Sequence, residues 1–134
     1  MLKRILTATG TAVATLSLVA LPVLAAVGTQ NPNLTVQLTL NPTVVTAPGQ
    51  VTGVGTITNN TNRTNRVVAK VDVVSPSGVT STYTEKYTIA AGGTVTETVV
   101  YNVLADAQKG VYTITLSTTD KKGSSWATEY LTVQ

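Results

Sequence analysis

Residues 111–118 read VYTITLST. Tyr112, Ile114 and Leu116 alternate with Thr113, Thr115 and Ser117, the period of two that marks a strand with one buried and one wet face. RVVAKVDVV, residues 66–74, repeats the pattern, with Val67, Ala69, Val71 and Val73 on one side and Lys70 and Asp72 on the other. Threonine makes up about a fifth of the chain beyond residue 26, and valine is nearly as common. Both are β-branched and fit a pleated, half-buried surface.

Working outward, seven such segments stand out: Leu34–Leu40, Val51–Asn59, Arg66–Val74, Thr80–Ile89, Thr94–Val103, Val111–Thr119 and Ser125–Val133. The turn-rich stretches NPTVVTAPG, NNTNRTN, SPSG, AAGG, LADAQKG and DKKG separate them. No helical period is sustained after the first 26 residues, and Leu104–Gln108 has room for one helical turn at most. Short strands at regular spacing, each with one apolar face, must close over a shared core. The expectation is an all-β, seven-stranded antiparallel immunoglobulin-like β-sandwich over residues 34–134, preceded by a short linker, 27–33. Tyr112 enters the sixth strand just after a tight turn, where such sandwiches place a tyrosine whose hydroxyl ties down the corner.

Residues 1–26 read as a cleaved signal peptide. Lys3 and Arg4 precede the apolar run from Ile5, and Pro22 stands before the small-residue exit VLAA, with cleavage after Ala25 or Ala26. The expected location is therefore secreted, periplasmic or extracellular, with no membrane insertion once the leader is gone. The leader takes two of the nine basic residues, leaving seven against six acidic ones. A near-neutral domain has no overall electrostatic footprint for nucleic acid, so neither nucleic acid nor an anionic membrane is an expected partner. The chain has no cysteine and no histidine. It must hold together by burial without disulfides, and it lacks the commonest general base and transition-metal ligand.

APGQ (47–50), TNNT (58–61) and LADAQKGVYTITL (104–116) together resemble the bacterial immunoglobulin-like and fibronectin III-like modules of the CARDB and NEW3 type. Those modules often carry proline where this chain has Leu104. The resemblance implies extracytoplasmic spacing, adhesion or binding, and supplies no catalytic residues.

Chemistry is sparse. Asp72, Asp106 and Asp120 have turn or wet-face roles, whereas Glu85, Glu97 and Glu129 share parity with apolar neighbours and are aimed inward by simple alternation. A carboxylate cluster is one reading; a parity-shifting bulge or a place at a sheet edge is the other. Gly53 and Gly55 lie inside a strand, where glycine marks a bulge or close packing. Asn33, Asn59 and Asn62 begin N-x-Thr sequons, read as coincidence in a threonine-rich chain. No nucleophile with a base partner and no phosphate-cradling loop is present, so neither an enzyme nor a cofactor is expected.

The sole tryptophan, Trp126, has Tyr130 four residues on. If Ala127, Leu131 and Val133 claim the core side of the last strand, then Trp126, Thr128 and Tyr130 face outward beside Thr113, Thr115 and Ser117. Rings on a hydroxyl-rich sheet would suit a sugar, or a protein interface. Alternatively Trp126 covers the end of the sandwich, or a bulge turns it inward. Arg63 and Arg66 in the polar loop region could hold an anion. The function expected is a secreted, non-enzymatic binding or structural domain whose partner is an envelope protein or polysaccharide. The alternatives are a small carbohydrate-binding domain using Trp126 and Tyr130, and an assembly or inhibitor module acting through loops or a sheet edge.

Overall fold

The computed structural model describes residues 29–134, so the signal-peptide reading of residues 1–26 lies outside the described residues. Eight strands follow one another: β1 (Leu34–Asn41), β2 (Val44–Val45), β3 (Gly49–Asn59), β4 (Asn65–Val74), β5 (Thr80–Ile89), β6 (Thr94–Val103), β7 (Gly110–Asp120) and β8 (Gly123–Val133). β1, β3 and β6 form one sheet in the order β1-β3-β6. The others form a second sheet in the order β2-β8-β7-β4-β5. Apolar side chains from both sheets meet in one core that includes Leu34, Val51, Val71, Tyr101, Ile114 and Leu131. The segment Leu104–Gln108 holds a single turn, closed by the Ala107 N–H on the Leu104 carbonyl at 3.0 Å, and no helix occurs among the described residues.

All seven long segments are strands. The strand count is nonetheless eight, and the pairing is not wholly antiparallel. β2 lies within NPTVVTAPG, which reads as a turn because two residues cannot display a period. It runs parallel to the end of β8, with Val44 beside Thr132 and Val45 beside Val133. The Thr132 N–H donates to the Thr43 carbonyl and the Gln134 N–H to the Val45 carbonyl, both at 2.9 Å. The chain thus crosses from one sheet to the other after β1, and the buried Val45 joins the core.

Gly53 and Gly55 mark close packing rather than a bulge, since the β1–β3 and β3–β6 registers run unbroken through them. A Cβ on Gly55 would stand 2.9 Å from a Leu116 methyl, and one on Gly53 3.4 Å from the Tyr101 ring. The two glycines border a void of about 20 Å³. The corner expected at Tyr112 is present: its hydroxyl donates to the Gln108 carbonyl oxygen at 3.1 Å.

Polar side chains fasten the end of the sandwich where β7 turns into β8. Asn59 is fully buried. Its amide donates to the carbonyls of Arg63, Ile89 and Ala90, and its oxygen accepts from the Thr61 N–H and hydroxyl. Those bonds occupy the nitrogen that a glycan would need, so the sequon at Asn59 is a structural asparagine. Residues 29–33, read as a linker, lie along the start of β8. The Asn31 N–H donates to the Ser124 carbonyl at 3.0 Å, and the Asn31 carbonyl accepts from the Ser125 hydroxyl at 2.8 Å.

Candidate ligand-binding face

The outward face of the five-stranded sheet carries the residues that the sequence nominates. The β7–β8 register runs without a bulge from Gly110–Val133 to Asp120–Gly123. Odd-numbered β8 residues therefore turn to the core, and Ser125, Leu131 and Val133 are buried there. Trp126, Thr128 and Tyr130 take the other face, opposite Ser117, Thr115 and Thr113 respectively. All six are half-buried. The inward placement of Trp126 is thereby excluded. The backbone at that position is fixed from the strand's outer edge, where the Gln30 amide donates to the Trp126 carbonyl at 3.1 Å and accepts from its N–H at 2.8 Å.

Strand pairing extends these positions into rows across the sheet. One row reads Trp126, Ser117, Lys70, Thr84; the next reads Thr128, Thr115, Asp72, Thr82; the third reads Tyr130, Thr113, Val74, Thr80. The hydroxyls of Thr115 and Thr128 lie 3.0 Å apart. Asp72 accepts from the Thr82 hydroxyl at 2.6 Å and pairs with the Lys70 ammonium at 3.0 Å. Along β8, Trp126 and Tyr130 are four residues apart on one face, about 13 Å at the usual rise. The result is an open surface of two aromatic positions over a field of hydroxyls. The two arginines are separated: Arg63 stays in the loop, whereas Arg66 stands on β4, outward and opposite Thr88.

The three glutamates do point inward, and they do not converge as a trio: Glu85 and Glu97 both act on Tyr87, whereas Glu129 stands apart. Each is on a strand at or near a sheet margin: Glu85 on β5, Glu97 on β6 and Glu129 on β8. There the side chain reaches the lip of the sandwich, so sheet-edge placement accounts for their parity. Glu129 and Glu85 stand at opposite sides of their sheet with β7 and β4 between them, about 14 Å across at normal strand spacing. Glu97 accepts from the Tyr87 hydroxyl at 3.4 Å. Burial, with the nearby charges of Glu97 and Glu85, pushes the Tyr87 phenol up to about 12. Burial also raises Glu129, partly offset by the Tyr130 N–H. Among the described residues, no group of three or more Asp or Glu side chains is placed to hold a metal ion.

Asp120 is the most heavily bonded carboxylate. It accepts from the amides of Asn31 at 2.7 Å, Asn65 at 2.8 Å and Asn33 at 3.3 Å, and from the Lys122 N–H at 2.7 Å. Burial alone would raise its pKa, but the bonds from Asn65, Lys122, Asn31 and Asn33 together outweigh it and hold the carboxyl below its usual range. Sequence reading placed Asp120 in a turn and missed its partners. It also missed Lys86, whose outward parity in Thr80–Ile89 was the available signal.

No protein-family model matches the chain, and no curated protein does. Among the solved structures that share its fold, two illustrate the likeness. One is a Pseudomonas fluorescens alkylpurine DNA glycosylase, AlkC, bound to DNA containing an abasic site analog. The match has a TM-score of 0.62 at 9% identity over 76% of this chain, and it spans only 30% of the glycosylase. The other is the C-terminal domain of wzt, at a TM-score of 0.54 and 11% identity, covering 78% of this chain and 75% of that one. At such identities the likeness concerns the fold alone.

Proposed function

We propose that this protein is a non-enzymatic, extracytoplasmic immunoglobulin-like binding domain that holds a carbohydrate on the outward face of its five-stranded sheet. The observation that carries this reading is the unbroken β7–β8 register, which sets Trp126, Thr128 and Tyr130 beside Ser117, Thr115 and Thr113 on an open surface. Aromatic rings offer apolar faces to the C–H side of a sugar, and the hydroxyls around them exchange hydrogen bonds with its hydroxyls. The Tyr112–Gln108 corner supports the immunoglobulin-like assignment and the kinship with CARDB-type and NEW3-type modules. The basic and apolar leader in the sequence supports export.

Assembly through a sheet edge has less support. Gln30 and Asn31 cover the start of the β8 edge, and β2 covers its end. Inward glutamates on the margin strands β5 and β6 are a device that discourages strand addition.

The test is retention of the purified protein on a panel of polysaccharides. Trp126→Ala and Tyr130→Ala should each weaken binding roughly tenfold or more, as loss of an aromatic anchor does, while thermal melting stays close to that of the parent. Unchanged retention of the Trp126→Ala variant would refute the sheet-face site.

A further inference from the structure

The near-balance of charge in the sequence conceals a strong asymmetry in space. Residues 29–134 contain seven basic side chains, and six of them sit at one end of the sandwich or on the adjoining half of the five-stranded sheet's outer face. Arg63 is in the loop before β4, Arg66 and Lys70 are on β4, Lys86 is on β5, and Lys121 and Lys122 form the β7–β8 turn. All six are exposed. Lys109, before β7, is at the opposite end.

The acidic side chains offset this pole only in part. Glu85, Glu97 and Glu129 point between the sheets, away from the face. Asp106 lies in the turn before β7, at the far end. Asp120, which accepts from Asn31, Asn33 and Asn65, leaves one negative charge at this end beside Lys121 and Lys122. Asp72, the one acid on the outer face, pairs with Lys70 and accepts from Thr82, so the charges of Asp72 and Lys70 cancel and the unpaired cations on this face are Arg66 and Lys86. Arg66 and Lys86 have no ion-pair partner among the described residues.

This pole adjoins the aromatic rows. Trp126 and Lys70 share a row with Ser117 between them, two strand spacings or about 10 Å apart. The neighbouring row toward the turn reads Ser124, Thr119, Val68, Lys86, and Arg66 lies diagonally beyond Lys86. A bound sugar seated at Trp126 would therefore have hydroxyls beside it and cations past them.

We infer that the ligand of this face is an acidic polysaccharide, one bearing carboxylate or other anionic groups on its sugar units, with its rings at Trp126 and Tyr130 and its charges toward Lys86 and Arg66. The inference rests on the carbohydrate reading above and names its ligand class. Anions spaced one or fewer per sugar suit a few separated cations. Duplex nucleic acid, with one charge per roughly 1.7 Å of axis, calls for a denser basic stripe.

The experiment is affinity electrophoresis of the purified protein through gels carrying a panel of uronate-bearing and phosphate-bearing polysaccharides, or a panel of neutral glucans and mannans, with a single-stranded oligonucleotide as competitor. The variants are the double substitution Arg66→Gln/Lys86→Gln and, separately, Trp126→Ala and Trp126→Phe. Retardation is expected in at least one acidic gel and to exceed that in every neutral one. The double variant should weaken it roughly tenfold. It should also disappear between about 0.01 M and 1 M salt, as the Debye length falls from about 30 Å to about 3 Å. Trp126→Ala should abolish it and Trp126→Phe should preserve part of it. Retardation by neutral polymers that the double variant leaves intact overturns the acidic class while the sheet-face site stands. Acidic retardation indifferent to Trp126→Ala overturns both, leaving an ion-exchange patch. Displacement by the oligonucleotide at concentrations below those of the polysaccharide overturns the inference in favour of nucleic acid. Retardation by no polymer overturns both readings.

Discussion

The Asn31 side-chain amide donates to Asp120 Oδ1 at 2.7 Å, joining residues 89 positions apart. Asn33 and Asn65 converge on the same carboxylate, so one ionised group ties the segment before β1, the start of β4 and the end of β7 together. Its folded-state pKa is lowered, so its contribution is fully present above the unfolded value, about 3.9, and is lost as pH falls through the folded value. Asp120→Ala should cost about 1.5–3 kcal/mol at neutral pH, the range for hydrogen bonds to a charged group. Urea titrations of parent and variant between neutral pH and acid should show that difference constant down to about pH 4 and shrinking below it. A difference independent of pH would mean that the ionised state is irrelevant.

Glu129 titrates with the opposite sign. Burial between the sheets raises its folded pKa, so its protonated form favours the fold. That contribution is present below the unfolded value, about 4.3, and is lost as pH rises through the folded one. Glu129→Gln should therefore raise stability at neutral pH, and with it Tm, by no more than about 1 kcal/mol given solvent screening of a half-exposed group. The gain should vanish in acid, where the parent is also neutral. Differential scanning calorimetry across that range reads both limits.

Thr118 is fully buried on the inward side of β7, opposite Ser125, and its hydroxyl has no hydrogen-bond partner in the structure. A buried polar group without a partner costs about 1–3 kcal/mol. Thr118→Val keeps the branched shape that the strand favours and removes the hydroxyl. It should raise the urea midpoint with an unchanged m-value, and a lowered midpoint would show that the hydroxyl is needed.

Two glycines should answer differently to alanine. Gly110 has φ +129° and would bring a Cβ within 2.8 Å of the Pro76 ring. Gly110→Ala should cost about 1–3 kcal/mol. At Gly55 the obstacle is a Leu116 methyl beside a void of about 20 Å³. That methyl can move, so Gly55→Ala should cost less. Equal losses on chemical denaturation would contradict the distinction.

Much of the framework is written locally. The seven long strands and the inward parity of Tyr112 and Ile114 follow from alternation and are found so, whereas the side taken by Trp126 was open until the unbroken β7–β8 register set it outward. The glutamates obeyed parity too; what the sequence left open was whether they converge, and that depended on which strands lie at the margins. β2 escaped notice because two residues carry no period. Asn31 reads as linker, Asn59 as a strand end with a chance sequon and Asp120 as a turn residue, because their partners are distant in sequence.

The sequence by itself determined the strands, their two faces and the threonine-rich, aromatic character of the last two, because side-chain alternation is a property of the pleat and needs no knowledge of neighbours. Tertiary structure alone decided which faces abut. The order β8-β7-β4-β5 brings Lys70 into the row of Trp126, 56 residues away, and turns an evenly balanced chain into one with a basic pole. Several strands share the same threonine and valine pattern, so local sequence does not distinguish their partners. Pairing was settled by the glycines that admit Leu116 and Tyr101, the Asp120 clasp and burial of one common core.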